Sequence, residues 1–261
     1  MLRILVTNDD GIHSTGLWSA VEVLKDLGEV VVVAPDRDLS GMGSAISLTS
    51  VVRAREVPPM VDGIETFSVE GTPADCVVLA TETLIEKPID LLVSGINQGA
   101  NLGLDIMISG TVGAAWQGYF RNIPSIAVSV ASLVDVSYEA AALTTWALAR
   151  SILRNPLSAP ALLNVNLPNI PGDRIEGVEI TSLGPRVYAE SVERGGDGRR
   201  AHYWIRHDRR TNTQVSEGTD IWAVRNQRIS MTLLEPTSTS PVAISGVDLL
   251  TAEVMARLGS K

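Results

Sequence analysis

The chain has 261 residues, a single cysteine (Cys76) and a formal net charge of −9 at pH 7, with a sequence pI near 4.9. This length fits one large domain, or one domain with an extension, and folding at this size buries about 70–75% of the unfolded chain's surface without disulfide staples. One cysteine excludes an intrachain disulfide and a cysteine metal cluster, and the acidic balance argues against a broad basic surface for nucleic-acid duplexes.

The first half reads as alternating strands and helices. Arg3 to Val6 is a short buried strand, and Ser14 to Leu27 is helical, with Leu17, Val21 and Leu24 on one face and Gly28 ending it. Glu29 to Ala34 is a valine run of the kind found in a sheet covered on both faces. Ile46 to Arg55 and Thr66 to Val69 are expected as short strands of an insertion. A helix starts at Thr72-Pro73-Ala74-Asp75, with proline in its first turn. Asp90 to Ser94 is the next buried strand, followed by the loop Gly95-Ile96-Asn97-Gln98-Gly99-Ala100-Asn101-Leu102-Gly103. A small-residue helix runs from about Thr111 to Tyr119, a strand from Ser125 to Val130, and an alanine-rich helix from about Tyr138 to Arg154. This alternation predicts a three-layer α/β fold with a largely parallel sheet.

The second half changes character. Leu162 to Asn166, Gly177 to Ser182, His202 to Arg206 and Arg228 to Leu234 read as strands, around a polar loop from Glu193 to Arg200, and Val247 to Leu258 reads as a C-terminal helix. The chain is expected to be one domain, 1–261, with a core over 1–180 and an extension over 181–261 placed at a subunit interface. No basic segment with a long apolar run and cleavage site marks the N-terminus, and no stretch approaches the ~20 apolar residues of a membrane span. A cytoplasmic location is expected, with no membrane partner.

Three loops leave strand ends on what should be one edge of the sheet, where ligands bind in open α/β folds. They hold Asn8, Asp9 and Asp10; Ser40, Gly41 and Gly43; and Ser94, Gly95, Asn97, Gly99 and Asn101. Adjacent carboxylates repel each other, and aspartate, serine and asparagine form a hard-oxygen set suited to a divalent cation. An Asp-Gly turn with both carboxylates in water is the plain alternative. Ser109-Gly110-Thr111-Val112-Gly113 makes a helix N-terminus whose free amides attract phosphate oxygens, or else an ordinary packed cap. No lysine follows to make a Walker A loop, and no G-x-G-x-x-G fingerprint follows the first strand, which disfavours a dinucleotide-dependent dehydrogenase. Of the three histidines, His13 lies beside the acidic pair, while His202 and His207 accompany Arg199, Arg200, Arg206, Arg209 and Arg210 in a face expected to meet solvent or a subunit.

Assembled in order, these blocks resemble the SurE (survival protein E) family of metal-dependent nucleotidases. The resemblance rests on Thr7-Asn8-Asp9-Asp10-Gly11-Ile12-His13, Ala34-Pro35-Asp36-Arg37 with Ser40-Gly41, Glu70-Gly71-Thr72-Pro73-Ala74-Asp75-Cys76, Asp90 through Gly103, and Ser109 through Ala115. A weaker block runs from Thr219-Asp220 to Ile229-Ser230-Met231-Thr232-Leu233. The family likeness implies a Rossmann-like sheet with C-terminal hairpins exchanged in a homodimer or homotetramer. It implies hydrolysis of nucleoside 5′- and 3′-monophosphates, with short polyphosphate as a further substrate. One divalent ion per subunit (Mg2+, Mn2+ or Co2+) would be held by Asp9, Asp10, Ser40 and Asn97. Asn101, Ser109, Gly110 and Thr111 would face the phosphate, and Asp9, Asp10 and Asn101 would carry catalysis. Two segments depart from the family pattern, Gly41-Met42-Gly43-Ser44-Ala45-Ile46-Ser47 and Met231-Thr232-Leu233-Leu234. Competing readings are a non-catalytic nucleotide-binding module and a phospho-accepting receiver domain. The receiver would need a further acceptor aspartate after a later strand and a well-placed lysine, and neither is evident.

Overall fold

The computed structural model describes residues 2–155, 159–186, 188–196, 201–210 and 214–235. The helix expected over 247–258, and Arg199 and Arg200, lie outside these residues. Valine- and isoleucine-rich runs form the central strands: β1 (Arg3–Thr7), β2 (Glu29–Pro35), β5 (Leu91–Gln98), β6 (Ser125–Val130) and β7 (Leu162–Leu167). With β3 (Ala54–Glu56), β4 (Glu65–Val69), β8 (Gly177–Ile180) and β11 (Arg228–Leu234) they make a nine-stranded sheet, in the order β3-β4-β2-β1-β5-β6-β7-β11-β8. The six strands from β4 to β7 in that order run parallel. The pairs β3/β4 and β7/β11 are antiparallel.

Alternation along each central strand divides the core in two. Ile4, Val6, Val30, Val32, Leu91, Val93, Ile126 and Val128 face α1 (Thr15–Leu24) and α4 (Glu139–Arg154). Leu5, Val31, Val33, Leu92 and Ala127 face α2 (Pro73–Leu79) and α3 (Gly110–Phe120). Strands covered on both sides need no polar face, which is why they read as continuous apolar runs. The strand β1 has β2 on one side and β5 on the other, so connections leave it in opposite directions. The crevice outside the carboxyl ends of β1 and β5 is the topological switch point of the sheet.

Four elements differ from the sequence reading, the first being β5, which runs on to Gln98 through part of the expected loop. The segment Ile46 to Arg55 is not a strand over most of its length; only Ala54–Glu56 pairs, with β4. At its N-terminal end, side chains of a later helix cap take backbone groups of the chain. Thr72 Oγ1 donates to Ala45 O at 2.6 Å, and Ser47 N donates to Asp75 Oδ1 at 2.9 Å. Thr72 and Asp75 also form the capping box of α2, so one block both starts a helix and pins the preceding loop. The expected loop from Glu193 is strand as far as Gly196: β9 (Tyr188–Gly196) pairs antiparallel with β10 (Ala201–Arg210) in a separate two-stranded sheet. A short helix that periodicity did not reveal, α5 (Asp220–Arg225), precedes β11.

Candidate functional site

The acidic pair sits at the end of β1, in the switch-point crevice. Three contacts gather the expected segments around it. Leu39 N donates to the Asp9 carbonyl at 2.8 Å, which brings the Ser40 loop alongside. Gln98 N donates to Asp10 Oδ2 at 3.1 Å, which brings the end of β5 and its Asn97 alongside. The Thr111 hydroxyl donates to Asp9 Oδ1 in a short contact, which brings up the first turn of α3.

Each position has a local cause. Asn8 is a brace: its Nδ2 donates to Gly11 O at 3.0 Å and to Ser14 Oγ at 2.7 Å, closing the loop onto the N-cap of α1. Gly11 has φ +95°, and a Cβ there would lie 2.8 Å from the Arg37 carbonyl carbon, so the two loops touch backbone to backbone. The β5–β6 register shifts between Ser94 and Asn97, an irregularity that re-aims the strand's last residues beside the site. Asn97 Nδ2 donates to Gly99 O at 2.7 Å, which leaves its carboxamide oxygen as the atom able to meet a cation. Ser40 is exposed, and its hydroxyl donates to Asp38 Oδ1 at 2.6 Å, leaving oxygen lone pairs free. Ser109 caps α3 by accepting from Val112 N, so the amides at Gly110 and Thr111 head a helix of eleven residues.

Asn101 is held by a separate set of contacts. Its N–H donates to Asn166 Oδ1 at 2.8 Å, and its carbonyl accepts from both Asn164 Nδ2 and Asn166 Nδ2 at 2.9 Å. Its Nδ2 donates to Ser129 Oγ at 2.9 Å. Sequence reasoning missed these supports. The available signal was Leu163-Asn164-Val165-Asn166-Leu167, polar residues at period two inside a buried strand. It also missed Asp38, whose charge acts on both members of the acidic pair. His13 is exposed, and His202 lies on β10, edge-to-face with Trp204. Among the described residues no hydrogen bond or ion pair joins either histidine to the acidic pair.

Charge is the dominant property. Asp9 is only 3% exposed, and burial drives its carboxyl above the ordinary range, with the Thr111 side-chain and backbone hydrogen bonds acting in the opposite direction. Asp10 is pushed up to about 7, first by burial and then by the charge of Asp9. Among the described residues no cationic side chain offsets either shift, and none of them form a group of three or more His, Cys, Asp or Glu side chains able to hold a metal. A cation here would therefore draw on two carboxylates completed by neutral oxygens. The donor set fits a hard divalent ion: Asp9 and Asp10 want positive charge, and the Ser40 and Asn97 oxygens are the neutral partners such ions accept. The buried Asn8 Oδ1, which has no hydrogen-bond partner among the described residues, is a further oxygen beside the pair.

Fold and site together define a doubly wound α/β protein with an acidic, oxygen-lined crevice at its switch point, next to a helix N-terminus. Residues 4–190 match the family model described as survival protein SurE, and the chain belongs to that family. It is 48% identical over 235 residues to a 5′-nucleotidase SurE of Dehalococcoides mccartyi, covering 89% of this chain and 88% of the relative. It is 43% identical over 246 residues to a 5′-nucleotidase SurE of Geobacter sulfurreducens, covering 94% and 92%. A crystal structure of the SurE protein from Aquifex aeolicus superposes with a TM-score of 0.77 at 36% identity, over 98% of this chain and 99% of that one.

Proposed function

We propose that this chain is a divalent-metal-dependent phosphomonoesterase that hydrolyses nucleoside 5′- and 3′-monophosphates to nucleoside and phosphate, with short-chain polyphosphate as a further substrate. The observation that carries the reading is the pair of carboxylates Asp9, buried, and Asp10, half-buried, set against the N-terminus of α3 with no cationic side chain among the described residues to offset them. Relatives named 5′-nucleotidase at 46–48% identity support the nucleotide as substrate.

Asp9, Asp10, Ser40 and Asn97 would hold the ion, Mg2+, Mn2+ or Co2+. Bound there, the ion would screen the phosphate's charge and make a coordinated water more acidic. The protein supplies the rest. The Thr111 hydroxyl fixes the Asp9 carboxylate, and the free amides of the first turn of α3 attract the phosphate oxygens in an otherwise negative molecule. Asn101, its backbone clamped by Asn164 and Asn166 and one side-chain N–H held by Ser129, would turn its second carboxamide N–H to the same oxygens as charge shifts among them. Asp10, with Oδ2 fixed by Gln98 N–H, accepts the proton of the attacking water. The extension assembles a homodimer or homotetramer, and the enzyme acts in the cytoplasm. Among the described residues no helix is long and apolar enough to cross a membrane.

The test is phosphate release from adenosine 5′- and 3′-monophosphate and from tripolyphosphate, with Mg2+, Mn2+ or Co2+, and with EDTA. Release that needs the metal is expected. A nucleotide that binds without phosphate appearing would leave a binding module instead, and labelling that needs a phosphodonor would leave a receiver.

A further inference from the structure

Asp220 is the first residue of α5, fully buried and 117 positions from the loop it touches. Its Oδ2 accepts from Gly103 N at 2.6 Å, and its Oδ1 accepts from Gly184 N and Ile221 N, both at 2.8 Å. Gly103 is two residues beyond Asn101. The contact leaves no slack: a Cβ on Gly103 would lie 2.6 Å from Pro185 O, and a Cβ on Gly184 would lie 2.5 Å from Ile221 Cδ1. The same loop is gripped from its other side by Asn164 and Asn166 on β7. A buried carboxylate spends desolvation energy that a neutral side chain would not. Here that cost is offset by three backbone N–H donors, and one of them fixes the far end of the Asn101 segment.

We propose that Asp220 is a positioning residue for phosphate recognition, acting through Gly103 to hold the Asn101 loop in register with the first turn of α3. The inference rests on the reading of this site as a phosphomonoesterase centre. Asp220 makes no contact with the metal-binding set, so its effect falls on the phosphate side of the reaction. The α5 segment belongs to the C-terminal half of the chain, and Asp220 thereby makes the geometry of the site depend on that half being folded against it.

The experiment compares the full-length protein with Asp220→Asn, Asn101→Ala and the double variant. Asparagine keeps the shape and one acceptor oxygen, but replaces the other acceptor with a donor facing an N–H. Hydrogen exchange at the Gly103 amide should quicken in Asp220→Asn. The kcat/KM for adenosine 5′-monophosphate should fall about 10- to 100-fold, as for a reacting group displaced by a fraction of an ångström to one ångström. Mn2+ affinity, read by calorimetry, should stay within twofold of the parent's. In the Asn101→Ala background, Asp220→Asn should add little, because both changes disable one loop. Gly103 exchange unchanged in Asp220→Asn, or losses that multiply in the double variant, would overturn the assignment. Should Asp220→Asn prove unstable, Asp220→Glu provides the same comparison with the charge retained. If the parent released no phosphate from any nucleotide, the proposed function would fail, while the Gly103 exchange result would still decide whether Asp220 holds the loop.

Discussion

Gly110 lies directly against Asp9: a Cβ on Gly110 would come within 2.7 Å of Asp9 Cβ and 2.9 Å of Asp9 Oδ2. The first residue of α3 is thus glycine because a carboxylate occupies the space a side chain would fill. Pro73 Cγ, at 3.1 Å from the same point, closes the other side. Gly110→Ala must therefore displace Asp9 or lift the helix N-terminus from it. Activity should fall about 100-fold, the scale of a misplaced reacting group, while circular dichroism shows the helical content retained. Parent-like turnover in Gly110→Ala would mean that the contact has no part in catalysis.

Asp9→Asn separates function from stability. An asparagine Oδ1 still accepts from Thr111, so the packing survives. The buried charge is gone, together with the desolvation that raises the Asp9 carboxyl. Phosphate release should drop by at least about 10²- to 10³-fold, comparable to losing an electrostatic contact to the transition state. The metal-free variant should melt no lower than the metal-free parent at neutral pH, because active-site charge is held at a cost in stability. Melting curves in EDTA, alongside an assay with Mn2+, measure both. A large loss of melting temperature would recast Asp9 as a structural residue.

The acidic pair also sets a pH dependence. The Asp10 carboxyl has its pKa raised from 3.8 to about 7 in the folded protein, by burial and then by Asp9. The unfolded chain gives up this proton near the lower value, and the folded chain keeps it to the higher one. Between them the folded state binds more protons, so metal-free stability falls as pH rises from about 4 to about 7 and then levels off. Asp9 is shifted in the same direction. Cation binding needs both carboxylates ionised, so Mn2+ affinity rises across that window. Thermal unfolding of the parent and Asp10→Asn at about pH 5 and about pH 8, with EDTA or Mn2+, isolates this contribution. In EDTA the variant should gain on the parent as pH rises. In Mn2+ the parent should recover. An EDTA difference independent of pH would show that Asp10 does not titrate in this range.

What could be read in the sequence, and what could not, follows from where the determinants lie. Apolar runs in doubly covered strands are local, so Ser125–Val130 was expected and found with identical ends. The positions of Asp9, Asp10 and Thr111 in the fold could be read because they follow the first strand or open a helix, whereas Asn97, expected in a loop, lies inside β5. The supports were not legible. Asn164 and Asn166 reach Asn101 across more than sixty residues, and Asp220 reaches Gly103 across 117. Helix α5 has six residues, too few to display a helical period, and only the Thr219 cap marks it. Ile46 to Arg55 has the composition of a strand, but Asp75, a residue of a distant helix cap, takes the N–H of its Ser47.

The hairpin of β9 and β10 yields a prediction about assembly. It pairs with no strand of the main sheet. Tyr203, Trp204 and Ile205 are consecutive on β10 and are 60%, 60% and 75% exposed, and Val192, the cross-strand partner of Ile205, is 65% exposed. Successive strand residues point to opposite faces, so both faces of the hairpin carry uncovered apolar side chains. A two-stranded hairpin is marginal in water by itself, and a second copy of this chain would cover both faces at once. In a two-fold dimer each apolar contact would be made twice. Burying one isoleucine contributes about 1.5–3 kcal/mol, so Ile205→Glu would remove that contribution at two places and add a buried charge. Light scattering coupled to gel filtration should show the parent as a dimer or tetramer and Ile205→Glu as a smaller species. Because the acidic pair belongs to a single chain, that variant should still bind Mn2+ even if turnover drops. A parent that runs as a monomer at micromolar concentration would show that the exposed hairpin serves something other than self-assembly.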